Sequence, residues 1–150
     1  MGTLSKAVGS YGGFLCASRP VVDLLVNRAR SLIYATGLPP SAVAAACAAL
    51  DIIAQGGKLV AAPMEKARRF CQQLGLCEPK SPIVPLILGE SHKALEASEK
   101  LASEGFLVTG IRPPTVPEGT ARLRLTFSAT HADSDIDRLT VAIHKLGLVK

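Results

Sequence analysis

Tryptophan is missing from this 150-residue chain, and aromatic residues as a whole make up only 4% of it. A core must therefore be filled by alanine, valine, leucine and isoleucine. No two cysteines stand at the spacing of a zinc knuckle or redox pair: they are Cys16, Cys47, Cys71 and Cys77. They read as reduced thiols acting as small hydrophobes in a cytoplasmic protein. A run of lysine and arginine is also missing. The formal charge of +5 is scattered over residues such as Arg28, Arg30, Lys66, Arg68, Arg69, Arg122 and Arg124, with no aromatics interleaved. A nucleic-acid surface shows both features, so nucleic acid is not an expected partner. A mild basic excess suits anionic small molecules such as phosphates, carboxylates or a CoA tail. The longest apolar run, Ala42 to Leu50, is too short and alanine-rich to span a bilayer. No charged segment followed by an apolar stretch opens the sequence. A membrane is therefore not expected as a partner either. His92, His131 and His144 have no second ligand at a suitable spacing; they read as structural, and no metal is expected.

What is present is a globular composition, 48% hydrophobic, at a length that can bury a sizeable core. Residues 12–18, GGFLCAS, predict a short buried strand after a glycine-rich turn. In RPVVDLLVNRAR, Pro20 suits a first helical turn, and Val21, Leu24, Leu25 and Arg28 recur at helical spacing. SLIYATGLPP reads as an irregular connector. Ser41 then opens a helix, SAVAAACAALDIIAQGG. It is apolar on nearly every face until Asp51 and is expected to be buried all round. Gly56 and Gly57 signal a stop. A second amphipathic helix is predicted from Lys58 to Leu74, ending at Gly75, with a kink or a later start at Pro63.

From Cys77 the texture changes. SPIVPLILGE predicts a strand with Val84, Leu86 and Leu88 alternating. SHKALEASEKLASEG predicts a charged helix capped by Ser91 and closed by Gly105. FLVTGI is a strand, and RPPTVPEGT a rigid loop. ARLRLTFS sends Leu123, Leu125 and Phe127 one way, and Arg122, Arg124, Thr126 and Ser128 the other. DSDIDRLTVAIHKLG is a closing helix with Asp133, Ser134 and Asp135 in its cap and first turn. This half makes a small α+β unit with two helices on one face of its sheet. The first half does not close on itself and reads as the tail of a larger α/β domain.

The segment GTLSKAVGSYGG, residues 2–13, sets one lysine among four glycines. A P-loop requires the lysine after its glycines, so that motif is excluded. A serine nucleophile three residues before the lysine is excluded by Thr3. Two readings of Lys6 remain from composition: a surface lysine in a flexible loop, and a Schiff-base lysine whose small neighbours admit a bulky cofactor.

GTLSKAVGSYGGFLCAS resembles the cofactor-lysine segment of the α-oxoamine synthases, pyridoxal phosphate enzymes with the aspartate aminotransferase fold, fold type I. The resemblance continues through IYATGLPP and strengthens at GIRPPTVPEGTARLRLTFSATH. It implies an α/β architecture: the C-terminal end of the large cofactor-binding domain in residues 1–60, and a small α+β domain in residues 61–150. It also implies that family members are much longer, with the glycine-rich phosphate loop, the ring-stacking histidine and the pyridine-nitrogen aspartate all preceding the lysine. The chain alone is then expected to be inactive.

By the same resemblance, Lys6 binds pyridoxal 5'-phosphate covalently and then serves as base and acid at the amino-acid α-carbon. Thr3, and less specifically Ser5, contact the cofactor phosphate. Thr36 reaches across a homodimer to the partner's cofactor phosphate, and Ala35 stands where the family often has a second polar residue. Thr115 contacts substrate, and Arg124 holds the substrate carboxylate. The implied reaction is decarboxylative condensation of L-alanine with pimeloyl-CoA or an acyl-carrier thioester, in biotin synthesis. The alternatives are glycine C-acetyl transfer and 5-aminolevulinate synthesis. A reading from another class is a non-catalytic folded fragment that self-associates through residues 12–55.

Overall fold

In the computed structural model, which describes residues 1–149, the chain divides into two units, Met1–Gly56 and the remainder from Gly57 onward. In the second unit the elements are α4 (Lys58–Gln73), β3 (Ile83–Gly89), α5 (Ser91–Ser103), β4 (Thr109–Ile111), β5 (Ala121–Thr126) and α6 (Asp133–Lys145). The first unit holds β1 (Gly2–Thr3), β2 (Gly13–Phe14), α1 (Arg19–Arg28), α2 (Arg30–Ile33) and α3 (Pro40–Gln55).

The second unit is organised by β5. Its alternation places Ala121, Leu123 and Leu125 in the interior and Arg122, Arg124 and Thr126 on the opposite face. β5 lies between β3 and β4 and is antiparallel to both. Pro85 is tolerated because β3 is an edge strand, where a missing N–H costs no ladder bond. Three helices, not the two expected, pack on the Leu123 face. α4 contributes Phe70, Cys71 and Leu74; α5 contributes Ala97 and Leu101; α6 contributes Ile136, Leu139 and Ile143. The rings of Phe70 and Phe127 lie 5.1 Å apart in a tilted arrangement, a favourable aromatic geometry. Among the described residues of this unit, none of its helices packs on the opposite sheet face, where Arg124 and Thr126 are exposed.

Helix boundaries depart from expectation at two places. α4 begins at Lys58 and contains Pro63, so there is no later start. Pro63 lies near the amino-terminal end, where the missing N–H leaves only one carbonyl without its helical partner. Ser91 is the first residue of α5 and not its cap; Glu90 precedes it and makes no side-chain cap bond. The Glu90 carboxylate instead accepts from Lys93 Nζ at 2.8 Å. Gly105 does close α5, at a φ of 91° that favours glycine. β4 covers only Thr109–Ile111 of the anticipated FLVTGI strand.

The first unit differs more from expectation. The strand at GGFLCAS shrinks to Gly13–Phe14, paired only with Gly2–Thr3, and it is exposed. The connector expected to be irregular contains the short helix α2. α1 follows the expected pattern, with Pro20 in its first turn, but buries no residue. α3 buries only Ala46, while Val43, Leu50, Ile52 and Ile53 face solvent. An all-apolar helix needs neighbours on several sides, and this unit supplies too few. Only Cys71 of the four free thiols is buried. Among the described residues no single helix is long and apolar enough to cross a membrane.

Two predictions follow from the core and from the polar seam between α4 and α6. Leu123 is fully buried, so Leu123→Ala should destabilise the second unit by about 2–5 kcal/mol, read from the urea midpoint. At the seam, Asp137 accepts from Gln73 at 2.6 Å and from Arg69 at 2.9 and 2.8 Å. These bonds, Gln73's first, hold the Asp137 carboxyl below its ordinary range. A depressed native pKa adds stability above the unfolded-state pKa, and the gain is lost as pH falls through the native value. Acidification should therefore lower the melting temperature, and Asp137→Asn should shrink that acid-side loss in melts compared at neutral pH and about pH 3.

Candidate functional site

The lysine segment is built as a closed turn. Leu4, the only buried residue in it, donates its N–H to the Gly12 carbonyl at 2.9 Å, and its own carbonyl accepts from Ser10 N–H at 2.8 Å. Within that closure, Gly9 N–H donates to the Lys6 carbonyl at 2.8 Å, so Lys6 starts a tight four-residue turn. Gly9 and Gly12 adopt φ of 64° and 101°, a region L side chains avoid. At Gly12 there is a second reason for glycine: a Cβ would lie 2.9 Å from the methyl groups of Leu38. Ser10 Oγ donates to the Ala42 carbonyl at 2.6 Å and ties the turn to the start of α3. That tie is invisible in the sequence, because its acceptor is a main-chain atom remote along the chain.

Three anticipated residues come together here. Lys6, Thr3 and Ser5 are all exposed. Thr3 Oγ1 and Ser5 Oγ are 2.7 Å apart, and Ser5 N–H donates to Thr3 Oγ1 at 3.2 Å. The local hydrogen bonds fix both hydroxyls beside the lysine turn. Thr36 lies elsewhere, exposed in the connector between α2 and α3, two residues after the exposed Tyr34.

Thr115 and Arg124 belong to the second unit. Arg124 stands on the helix-free face of the sheet, in register between Pro85 and Thr109. Arg122 stands in the next row, between Ile87 and Ile111. Neither arginine has an acidic partner among the described residues. The guanidinium of Arg124 is exposed, and its planar fork of N–H donors suits a carboxylate. Thr115 is exposed in the loop between β4 and β5, and its N–H donates to the Arg112 carbonyl at 3.1 Å.

A cleft of about 500 Å³ borders Arg124, Thr109, Thr126 and His131. The Nδ1 of His131 accepts from Ser128 N–H at 3.3 Å, which leaves Nε2 to carry the proton of the neutral ring. Its place beside Arg124 was not legible in the sequence, where it read as structural. A larger groove, about 1230 Å³, runs along β3, α5 and residues 74–81, and it includes none of the anticipated site residues. No cluster of metal-ligating side chains exists among the described residues.

Residues 1–143 match the family model described as aminotransferase class I and II. The 8-amino-7-oxononanoate synthase of Maricaulis maris is 60% identical over 146 residues, which are 97% of this chain and 37% of that relative. The serine palmitoyltransferase of Sphingomonas wittichii superposes with a TM-score of 0.88 at 29% identity, covering 99% of this chain and 40% of that one. A structure of SPT with PLP internal aldimine matches with a TM-score of 0.85 at 26% identity and the same coverage. The chain thus spans about two fifths of the length of these relatives. The fold expected from the lysine segment and the RLRL strand is the one observed. With the match extending over almost every described residue, the chain belongs to the aminotransferase class I and II family.

Proposed function

We propose that this chain is the lysine-bearing part of a pyridoxal phosphate acyltransferase of the 8-amino-7-oxononanoate synthase type. The reaction joins L-alanine to a pimeloyl thioester, carried on CoA or a carrier protein, with loss of carbon dioxide. The observation that carries this reading is the Lys6 turn, closed by hydrogen bonds and flanked by two fixed hydroxyls. The 60% identity to a relative of that name, across nearly all of this chain, supports it over glycine C-acetyl transfer or 5-aminolevulinate synthesis.

The residues present fit the cofactor. Lys6 offers an exposed primary amine, and open space surrounds the Gly9 position of its turn. Thr3 and Ser5 hold two hydroxyl oxygens beside the turn; their mutual bond uses one O–H and leaves the other to donate to a phosphate oxygen. When bound, pyridoxal phosphate supplies an electron sink for negative charge at the amino-acid α-carbon. Lys6 Nζ would hold the cofactor and, once released from it, would take and return the proton at that carbon. Arg124 holds the substrate carboxylate by two parallel N–H bonds and so sets which bond at the α-carbon is presented for reaction. Thr115 makes a second substrate contact, and Thr36 donates to the cofactor phosphate of the partner protomer in a homodimer. The solvent-facing apolar side chains of α1 and α3 support such an assembly. In this reading residues 1–60 end the large domain and residues 61–150 form the small one. The chain alone would lack activity, and the whole enzyme works in the cytoplasm.

Two outcomes test the reading. In the holoenzyme containing this segment, borohydride reduction should place one pyridoxyl group on Lys6, and Lys6→Ala should abolish it by peptide mass spectrometry. Label spread over several lysines would overturn the assignment. Arg124→Lys keeps the charge but loses the fork, and should raise the Kd for L-alanine by about tenfold or more in a visible-absorbance titration. An unchanged Kd would move the carboxylate site elsewhere.

A further inference from the structure

The rigid-looking loop between β4 and β5 has its own set of ties. Thr120 N–H and Oγ1 both donate to the Pro117 carbonyl, at 3.2 and 2.7 Å. Thr115 N–H donates to the Arg112 carbonyl at 3.1 Å. The two small turns thus formed bracket residues 112–120, but neither joins the loop to the sheet. That junction is made by a side chain: Arg122 Nε donates to the Thr120 carbonyl at 2.9 Å, in a part-buried setting.

Phe127 N–H donates to the Pro82 carbonyl beside β3, so by alternation the main-chain groups of Ala121, Leu123 and Leu125 face β3 and those of Thr120, Arg122 and Arg124 face β4. The β4–β5 ladder ends at the Ile111–Arg122 pair, and the next position in that register is Pro113, which has no N–H to offer the Thr120 carbonyl. Among the described residues no backbone N–H reaches the Thr120 carbonyl. A carbonyl left unpaired at a partly buried position is costly, and a charged donor meets it better than a neutral one. Arg122 is suited to this by its neighbours as well. Ile87 and Ile111 flank it across the strands, so its stem lies between apolar side chains. It has no acidic partner among the described residues to draw the guanidinium away.

We propose that Arg122 is a positioning residue: its bond to the Thr120 carbonyl fixes the 112–120 loop on the end of β5 and thereby places the Thr115 hydroxyl. The part concerning Thr115 as a substrate contact rests on the function proposed above; the loop-fixing part does not. Arg122 and Arg124, two residues apart on one strand face, then divide the labour. One holds the loop that bears a substrate contact, and the other presents its fork to the substrate.

Hydrogen exchange tests the loop-fixing role without reference to catalysis. In Arg122→Met, the Thr115 and Thr120 amides should exchange about tenfold faster, the scale of one charge-assisted hydrogen bond. Arg122→Lys, which retains one donor, should give an intermediate rate. The amides of Ala97 and Leu101 in α5 should keep their wild-type rates. Unchanged rates at Thr115 and Thr120, or acceleration throughout the unit, would overturn the proposal. In the holoenzyme, Arg122→Met and Thr115→Val should each lower kcat/KM for L-alanine, and the double variant should be little worse than the poorer single one. Fully additive losses would overturn the link to Thr115. Reductive labelling of Lys6 should persist in Arg122→Met. Were wild-type Lys6 itself unlabelled, the functional reading would fail while the exchange result stood.

Discussion

The second unit depends on the register of one strand. β5 has neighbours on both sides, and its period of two assigns every residue either to the helices or to the open face. A slip of one residue would drive Arg122 and Arg124 among Phe70, Leu101 and Ile143, and would turn Leu123 and Leu125 toward water. An unpaired guanidinium in such a core costs several kcal/mol, so the register is strongly specified. The same constraint that builds the core therefore delivers two cations to the other face. Packing and binding chemistry are not separate features of this strand, because each is the complement of the other.

The lysine turn is held differently. Only Leu4 is buried in it, and its shape comes from main-chain bonds and from two glycines at positive φ. Such a turn gives a side chain a defined origin without surrounding it, which leaves room for a large planar ligand beside Lys6. The rest of the first unit is equally unenclosed. Leu24 and Val26 of α1 and Leu50 and Ile52 of α3 are about half exposed. Apolar area left in water forgoes roughly 25 cal/mol per Å², so a surface of this kind favours burial against further protein.

Legibility in the sequence follows the range of the forces involved. The alternation of β5, the proline start of α1 and the acidic first turn of α6 are local patterns, and each was readable. The burial of α3 was not, because an apolar composition states what a helix needs and not what surrounds it. Ser91 misled because a serine before an apolar pattern looks like a cap, whereas Glu90 occupies that place and pairs with Lys93. At the site, Thr3, Ser5 and Lys6 were legible as a contiguous segment. The bond from Ser10 to Ala42 was not, since it joins residues 32 apart. Nor was the bond from Arg122 to Thr120: although short in sequence, it depends on where the β4–β5 ladder ends.

The distribution of ion pairs separates structural cations from the rest. Between α4 and α6, Arg69 is paired with Asp137 and Lys66 with Asp133. On the sheet face, Arg122 and Arg124 have no such partner among the described residues, although they stand about 7 Å apart along the strand. At that separation two charges repel by about 0.6 kcal/mol in water-like surroundings, and by more where the dielectric falls. One acidic residue at Thr109 or Thr126 would relieve this repulsion, and both positions are exposed enough to accept it. It would also occupy the donors of Arg124. As the strand stands, Arg122 Nε is taken by the Thr120 carbonyl and Arg124 stays exposed, so relieving the repulsion from within would cost this face its open fork of N–H donors.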